Sequence, residues 1–211
     1  DAELVGLPCA GAFDLSERSD LTAWVKLFKA RDGKTIMVPH FWLPVDEIEE
    51  LERKDSCPYR RWADAGWITL CDGPSINYSM VQERIAEDAR KYKIKIIGYD
   101  RYQASMMRDE LAGKLGLTMV PIPQTFQGMS ESSKEFESMI LSGMMEHDEN
   151  PIMARMISQV TTICDTNGNI RPTKRDKKKR KKIDGVVAAI MALRVQMAST
   201  PKATSGGVLW V

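Results

Sequence analysis

The sequence lacks the features that mark several common protein classes. None of its apolar runs approaches the roughly 20 residues that a membrane span requires. It begins Asp1-Ala2-Glu3-Leu4, without an initiator methionine or a basic-then-apolar signal segment, so we expect a chain processed or cut from something longer. No GxxxxGK[ST], GxSxG or HExxH motif occurs, so the chain does not bind nucleotide in the P-loop manner or carry those hydrolase motifs.

Cysteine and histidine are scarce as well. The four cysteines form no CxxC pair, which argues against a structural zinc site, and we expect reduced thiols buried as small apolar residues in an intracellular protein. Of the two histidines, His40 follows an apolar stretch and is expected to be structural. His147 precedes Asn150-Pro151, and the sequence leaves open whether it lies near a functional site.

The formal net charge of +1 hides a strong local asymmetry. The chain has 30 basic and 29 acidic residues, but residues 174–182 contain eight basic residues and one acidic residue. This segment, the basic strip, carries a charge of +7 and leaves −6 for the rest of the chain. A mildly acidic body with one dense cationic segment is suited to holding a polyanion.

The order of predicted elements indicates the fold class. Residues 9–16, 21–29 and 35–42 predict three strands joined by short turns, an antiparallel meander. Helices and strands then alternate. Helices are predicted at 46–65 (interrupted near Pro58), 77–92, 103–115, 130–142 with Ser132 or Ser133 as cap, 151–159 and 183–197; strands at 67–70, 93–100, 117–122, 160–165 and 170–172. We predict one α/β domain over residues 1–197 around a mixed sheet, and a flexible C-terminal tail at 198–211.

Three aspartates stand where this fold class places reactive groups. Asp14 ends the first strand, Asp100 ends the central buried strand, and Asp184 begins the last helix directly after the basic strip. A fourth, Asp20, precedes the second strand. Clustered carboxylates repel unless a cation neutralises them, and Mg²⁺ and Mn²⁺ favour such oxygen ligands. Each aspartate taken alone is explained as well by a turn or a helix cap.

The combined motifs resemble a known family. They are Gly11-Ala12-Phe13-Asp14-Leu15-Ser16 with Asp20-Leu21-Thr22-Ala23, then Gly98-Tyr99-Asp100-Arg101-Tyr102, then Asp165-Thr166-Asn167-Gly168-Asn169-Ile170 with Lys174 and Lys182-Ile183-Asp184-Gly185. This string resembles the nuclease domain of tailed-bacteriophage terminase large subunits over about residues 9–197. The segment from His147 through Asn150-Pro151 fits too, although Gln159 stands where many relatives carry Asn.

The resemblance implies a ribonuclease H-like fold and a metal-dependent endonuclease that cuts concatemeric viral DNA during packaging, in the cytoplasm of the infected bacterial host. It implies that Asp14, Asp100 and Asp184 bind two divalent cations, Mg²⁺ or Mn²⁺, with help from Asp20. The implied partners are double-stranded DNA, an N-terminal ATPase domain, the small terminase subunit and the portal or procapsid. The expected phosphate contacts are Lys174, Arg175, Lys177, Lys178, Lys179, Arg180, Lys181 and Lys182.

Two other interpretations remain open. The chain could be another ribonuclease H-like nuclease, such as a junction resolvase or a ribonuclease H. It could also be a noncatalytic module that binds DNA or a portal, in which the aspartates are merely structural.

Overall fold

A mixed β-sheet forms the centre of the molecule. The computed structural model describes residues 2–16, 21–101, 105–174 and 182–199. The sheet has the strand order β4-β3-β2-β1-β5-β6, and β7 also pairs with β3. Its strands are β1 Cys9–Asp14, β2 Thr22–Lys29, β3 Thr35–Pro44, β4 Ile68–Cys71, β5 Ile96–Tyr99, β6 Thr118–Pro121 and β7 Met145–His147. Strands β1 to β3 form the predicted antiparallel meander, and β5 adds to β1 in parallel.

Helices cover both faces of this sheet. They are α1 Ile48–Asp55, α2 Tyr59–Asp64, α3 Tyr78–Tyr92, α4 Ser105–Leu115, α5 Phe126–Leu141, α6 Pro151–Gln159 and α7 Asp184–Ser199. One apolar cluster joins the sheet to α3 and α4, and a second joins its other face to α1, α5, α6 and α7. A separate antiparallel hairpin, β8 Val160–Cys164 and β9 Ile170–Lys174, contacts α5. None of the described helices is long and apolar enough to cross a membrane.

Helix α7 is the central helix of the second face. Its residues are apolar almost all round, and nearly all of them from Gly185 to Gln196 are buried, as expected for a helix enclosed on every side. It packs against β1, β2 and β5. At its C-terminal end, the Gln196 amide donates a hydrogen bond to the Leu27 carbonyl at 3.0 Å. Since Leu27 pairs with Ala10 near the start of β1, α7 runs back along β1 and begins near the end of that strand.

The structure corrects three element predictions. Helix α5 begins at Phe126 rather than residue 130, because the Thr125 side chain accepts a hydrogen bond from the Gly128 N–H and caps the helix there. Ser132 and Ser133 are therefore buried inside the helix instead of capping it. Strand β7 was not predicted. Helix α7 continues to Ser199, two residues past the predicted domain end, and the rest of the predicted tail lies outside the described residues.

All four cysteines are free thiols. Cys57 and Cys71 are buried and Cys9 is half-buried, as predicted, but Cys164 is exposed on β8.

Candidate active site

Two of the predicted aspartates lie at the ends of neighbouring parallel strands. In the register of β1 with β5, Phe13 pairs with Tyr99. Asp14 and Asp100 directly follow these paired residues, and adjacent strands lie only about 4.8 Å apart. Ala10 and Ala12 face the α7 side of the sheet, so the alternation of side chains along β1 directs Asp14 to that side as well.

Helix α7 brings the third aspartate to the same end of the sheet. Asp184 is its first residue, and the next residue, Gly185, allows a close approach to the core. A Cβ atom at Gly185 would lie 2.8 Å from Phe41 Cε1 and 3.0 Å from Met156 Sδ. Phe41 pairs with Ala23, which in turn pairs with Asp14. The N-terminus of α7 thus lies level with the end of β1, and Asp14 and Asp184 line one open cavity of about 400 Å³.

Cationic and amide groups complete the lining of this cavity. Arg171 and Lys174 of β9 lie in it, and the Arg171 guanidinium is 5.2 Å from the centre of the Phe126 ring, a distance typical of a cation–π contact. The Gln124 amide donates a long hydrogen bond, 3.4 Å, to Asp14 Oδ1. An acidic pair next to fixed cations can hold divalent cations and a phosphate group together.

The donor chemistry of the site fits a hard divalent cation, since Asp14, Asp100 and Asp184 offer only carboxylate oxygens. Among the described residues, however, no three His, Cys, Asp or Glu side chains lie close enough to form a ready-made metal site. The structure therefore brings Asp14 and Asp184 to one cavity and places Asp100 at the adjacent strand end. It does not assemble all three into one ligand set. Like charges of three carboxylates oppose such a cluster unless a cation is bound.

The other predicted site residues fall into two groups. Asp20, Arg175, Lys177, Lys178, Lys179, Arg180 and Lys181 lie outside the described residues. Lys174 lines the cavity, as its predicted contact with DNA requires. Lys182 does not fit that prediction, because its side chain is 6% exposed and its Nζ lies 3.7 Å from Asp55 Oδ2.

His147 and Gln159, to which the sequence assigns no role, lie apart from Asp14, Asp100 and Asp184. His147 is exposed on β7, and it pairs with Met37 near the start of β3. That position is several residues below the level of Asp14 and three strands away, so His147 is not part of this site. Gln159 ends α6 and lines a separate small cavity with Asp55 and Lys182.

A second charged cluster lies on the opposite face of the sheet. Lys26 Nζ contacts Asp88 Oδ2 at 2.6 Å, and the Trp24 indole N–H donates to the same oxygen at 2.9 Å. Burial lowers the pKa of Lys26. Burial opposes ionisation of Asp88, but its contacts with Lys26 and Arg84 outweigh this and lower its pKa. Because Lys26 and Asp88 are both buried and carry opposite charges, this cluster is part of the core.

Sequence reasoning missed Gln124, Arg171 and Asp55. Gln124 follows the parallel strand β6, so the rule that functional groups gather at the carboxyl ends of parallel strands could have identified it. Arg171 lies in the hairpin strand that the Asn167-Gly168 turn predicted, only three residues before Lys174. Nothing local distinguishes Asp55, since its partner is 127 residues away in sequence.

Comparison with known sequences identifies relatives. The family model for the endonuclease domain of the terminase large subunit matches residues 3–200. Protein YmfN of Escherichia coli (strain K12) is 32% identical over 198 residues, covering 89% of this chain and 43% of that protein. The terminase large subunit of Enterobacteria phage HK97 is 34% identical over 182 residues, covering 85% of this chain and 36% of that protein. The chain thus spans less than half the length of either relative.

Solved structures agree with this relationship. The crystal structure of the HK97 bacteriophage large terminase has a TM-score of 0.81 at 30% identity, covering 90% of this chain and 40% of that chain. The large terminase nuclease of thermophilic phage G20c with bound magnesium has a TM-score of 0.58 at 10% identity, covering 89% and 81%. The nuclease domain of SPP1 g2p with bound Mn has a TM-score of 0.53 at 14% identity, covering 93% and 92%.

The two distant structures bear on the fold alone, and they confirm the predicted ribonuclease H-like arrangement of a mixed sheet between helices. The family match covers nearly all of the described residues, and the phage HK97 relative exceeds 30% identity. This chain belongs to the family of terminase large subunit endonuclease domains.

Proposed function

We propose that this chain is a metal-dependent DNA endonuclease that cuts concatemeric viral DNA during genome packaging. The observation that carries the proposal is the shared cavity. Asp14 and Asp184, from opposite ends of the sequence, line it together with Arg171 and Lys174. Paired carboxylates next to cations suit a phosphodiester substrate, and the family is one of endonucleases.

In this proposal Asp14, Asp100 and Asp184 hold two divalent cations, with Asp20 assisting. When bound, such cations lower the pKa of water and neutralise charge at the phosphate. Bound magnesium and manganese in the G20c and SPP1 nucleases support the choice of Mg²⁺ or Mn²⁺.

The remaining residues of the cavity have separate roles. Gln124 orients Asp14 through its hydrogen bond to Oδ1. Arg171, held against the Phe126 ring, and Lys174 bind a phosphate of the DNA backbone in the cavity. Such contacts carry no sequence information, so the expected cleavage is nonspecific. The products are a 3′-hydroxyl and a 5′-phosphate.

The basic strip extends these contacts along double-stranded DNA. The residues assigned to this role are Lys174, Arg175, Lys177, Lys178, Lys179, Arg180 and Lys181. Seven cations in eight positions make affinity fall steeply as salt concentration rises. In the longer protein, the proposed partners are an N-terminal ATPase domain, the small terminase subunit and the portal, in the cytoplasm of the infected host.

The test is nicking of supercoiled plasmid by the purified chain without ATP. We expect relaxed and linear products with Mg²⁺ or Mn²⁺, and no products after chelation by EDTA. Linear duplex, a four-way junction and an RNA–DNA hybrid are compared at equal concentration. A strong preference for the junction or the hybrid would replace the packaging role by resolvase or ribonuclease H activity. Plasmid binding without cleavage at any metal concentration would favour a noncatalytic module.

A further inference from the structure

The last residue of the basic strip is buried. The side chains of Lys182 and Asp55 are 6% and 3% exposed, and Lys182 Nζ lies 3.7 Å from Asp55 Oδ2. A buried ammonium cannot reach a DNA phosphate outside the protein without leaving its carboxylate partner. Lys182 therefore differs in role from Lys174, which lines the open cavity.

Asp55 is held in place by groups from several elements. The Tyr59 hydroxyl donates to Asp55 Oδ2 at 2.8 Å, and the Arg155 guanidinium of α6 donates to the Asp55 carbonyl at 3.0 Å. Asp55 ends α1, where the partial negative charge of the helix terminus disfavours a carboxylate. A cationic partner offsets that cost. The carboxylate is thus fixed in position, and the Lys182 ammonium stabilises its charge.

Asp55 also lines a very small cavity. Asp55 Oδ1 is buried and has no hydrogen-bond partner among the described residues. The cavity measures about 20 Å³ and is lined by Gln159 and Lys182 among others, which is room for roughly one water molecule. A carboxylate this confined cannot follow Lys182 if the chain moves, so it acts as a rigid anchor.

Lys182 is separated from Asp184 by a single buried residue, Ile183. On the other side of Asp184, the Gly185 N–H contacts Met156 Sδ at 3.2 Å. The backbone is therefore anchored both two residues before and one residue after the carboxylate. The Lys182–Asp55 contact thus fixes the chain on the side of Asp184 that leads to the basic strip.

We propose that Asp55 and Lys182 form a positioning pair that holds Asp184 in the geometry needed to bind a divalent cation. The inference rests on the proposed function and gives Lys182 a role other than contact with DNA. Replacing a buried ion pair by apolar groups often costs little stability. Removing one partner alone leaves the other buried without its counter-charge and lowers stability as well, so stability and cation binding are measured separately. Neighbours that orient metal ligands typically change metal affinity about 10- to 100-fold when removed.

The experiment measures Mn²⁺ binding by isothermal titration calorimetry, together with the melting temperature of each variant. The positioning variants are Lys182→Met and Asp55→Asn, alone and combined, and Lys182→Arg keeps the charge. The matched control is Lys26→Met, which breaks the other buried lysine–aspartate pair on the opposite face of the sheet. Plasmid nicking by the wild-type chain is measured in the same buffer.

We expect Lys182→Met and Asp55→Asn each to raise the Mn²⁺ dissociation constant about tenfold. The combined variant should be no weaker than the worse single variant, because both changes remove one interaction. Lys182→Arg should retain most of the affinity. Lys26→Met should lower the melting temperature while leaving the Mn²⁺ dissociation constant within about twofold of the wild-type value.

The outcomes separate this inference from the proposed function. If the wild-type chain cuts DNA but folded Lys182→Met and Asp55→Asn bind Mn²⁺ as it does, the positioning role is wrong and the nuclease stands. If Lys182→Met does not fold, Asp55→Asn decides by the same criterion. A wild-type chain that neither binds Mn²⁺ nor cuts DNA overturns both.

Discussion

Replacing Gly185 by alanine tests how closely the start of α7 approaches the core. A Cβ atom there would lie 2.8 Å from Phe41 Cε1, 2.9 Å from Phe41 Cζ and 3.0 Å from Met156 Sδ. Phe41 is fully buried and Met156 is 2% exposed. Neither side chain has solvent to move into, so the helix or its neighbours must shift by several tenths of an ångström.

Two opposing effects set the change in the free energy of unfolding. Adding a methyl group to a packed core costs about 1–3 kcal/mol. The better helix propensity of alanine offsets at most about 1 kcal/mol of this. We therefore expect Gly185→Ala to lower the free energy of unfolding by about 1 kcal/mol. Because Asp184 is the adjacent residue, the same shift should weaken Mn²⁺ binding.

Gly113 provides the matched control. It also lies in a helix, α4, but a Cβ atom there would meet nothing within 4 Å. Gly113→Ala should raise the free energy of unfolding by about 0.5–1 kcal/mol, since only the propensity effect remains. Urea titrations followed by circular dichroism at about 25 °C measure both variants. A Gly185→Ala variant as stable as Gly113→Ala would refute the close approach of α7 to Phe41.

The buried charges and the basic strip lead to three further predictions. Burial lowers the pKa of His40 to about 3, so the unfolded chain takes up a proton below pH about 6.5 that the folded chain does not. Stability should then fall by up to about 2 kcal/mol between about pH 7.5 and 5, and His40→Gln should flatten this dependence in urea titrations. Asp88→Asn should cost about 3–5 kcal/mol in the same assay, because it leaves Lys26 buried without its counter-charge. Replacing Lys177 and Lys179 by glutamine should weaken the salt dependence of DNA binding, which fluorescence anisotropy measures. The slope of log affinity against log salt concentration should fall in magnitude by about 0.9 for each phosphate that is no longer neutralised. An unchanged slope would show that the basic strip does not contact DNA.

The sequence was most informative where a local pattern is tied to one structure. The alternation in residues 21–29 and 35–42, with an Asp-Gly turn between them, predicted the meander. Asn150-Pro151 marked the start of α6, where the Asn150 side chain accepts from the N–H groups of Ile152 and Met153. The rule for the carboxyl ends of parallel strands drew attention to Asp14 and Asp100, and the pairing of β1 with β5 puts these two strand ends next to each other.

The features that the sequence did not reveal share a physical cause, since each depends on distant residues or on burial. Strand β7 is three residues long and pairs with residues more than 100 positions earlier, so no local periodicity indicates it. The sequence does not distinguish Thr125 as the cap of α5, because Ser132 and Ser133 are also good cap residues and only burial separates them. Lys182 looked like its neighbours in the basic strip, but its environment is set by Asp55, far away in sequence. The charge pattern predicts which side chains could bind phosphate, whereas burial determines which of them can reach it.

The catalytic role of the three carboxylates is tested by the single-turnover rate of Mn²⁺-dependent plasmid nicking by Asp14→Asn, Asp100→Asn and Asp184→Asn. The control Asp109→Asn changes an exposed carboxylate on α4. Loss of a cation ligand should remove several kcal/mol of transition-state stabilisation, so each site variant should be slowed by about 100-fold or more. Asp109→Asn should cut at the wild-type rate. Folded site variants that cut as fast as the control would contradict the assignment of these three carboxylates as the catalytic centre.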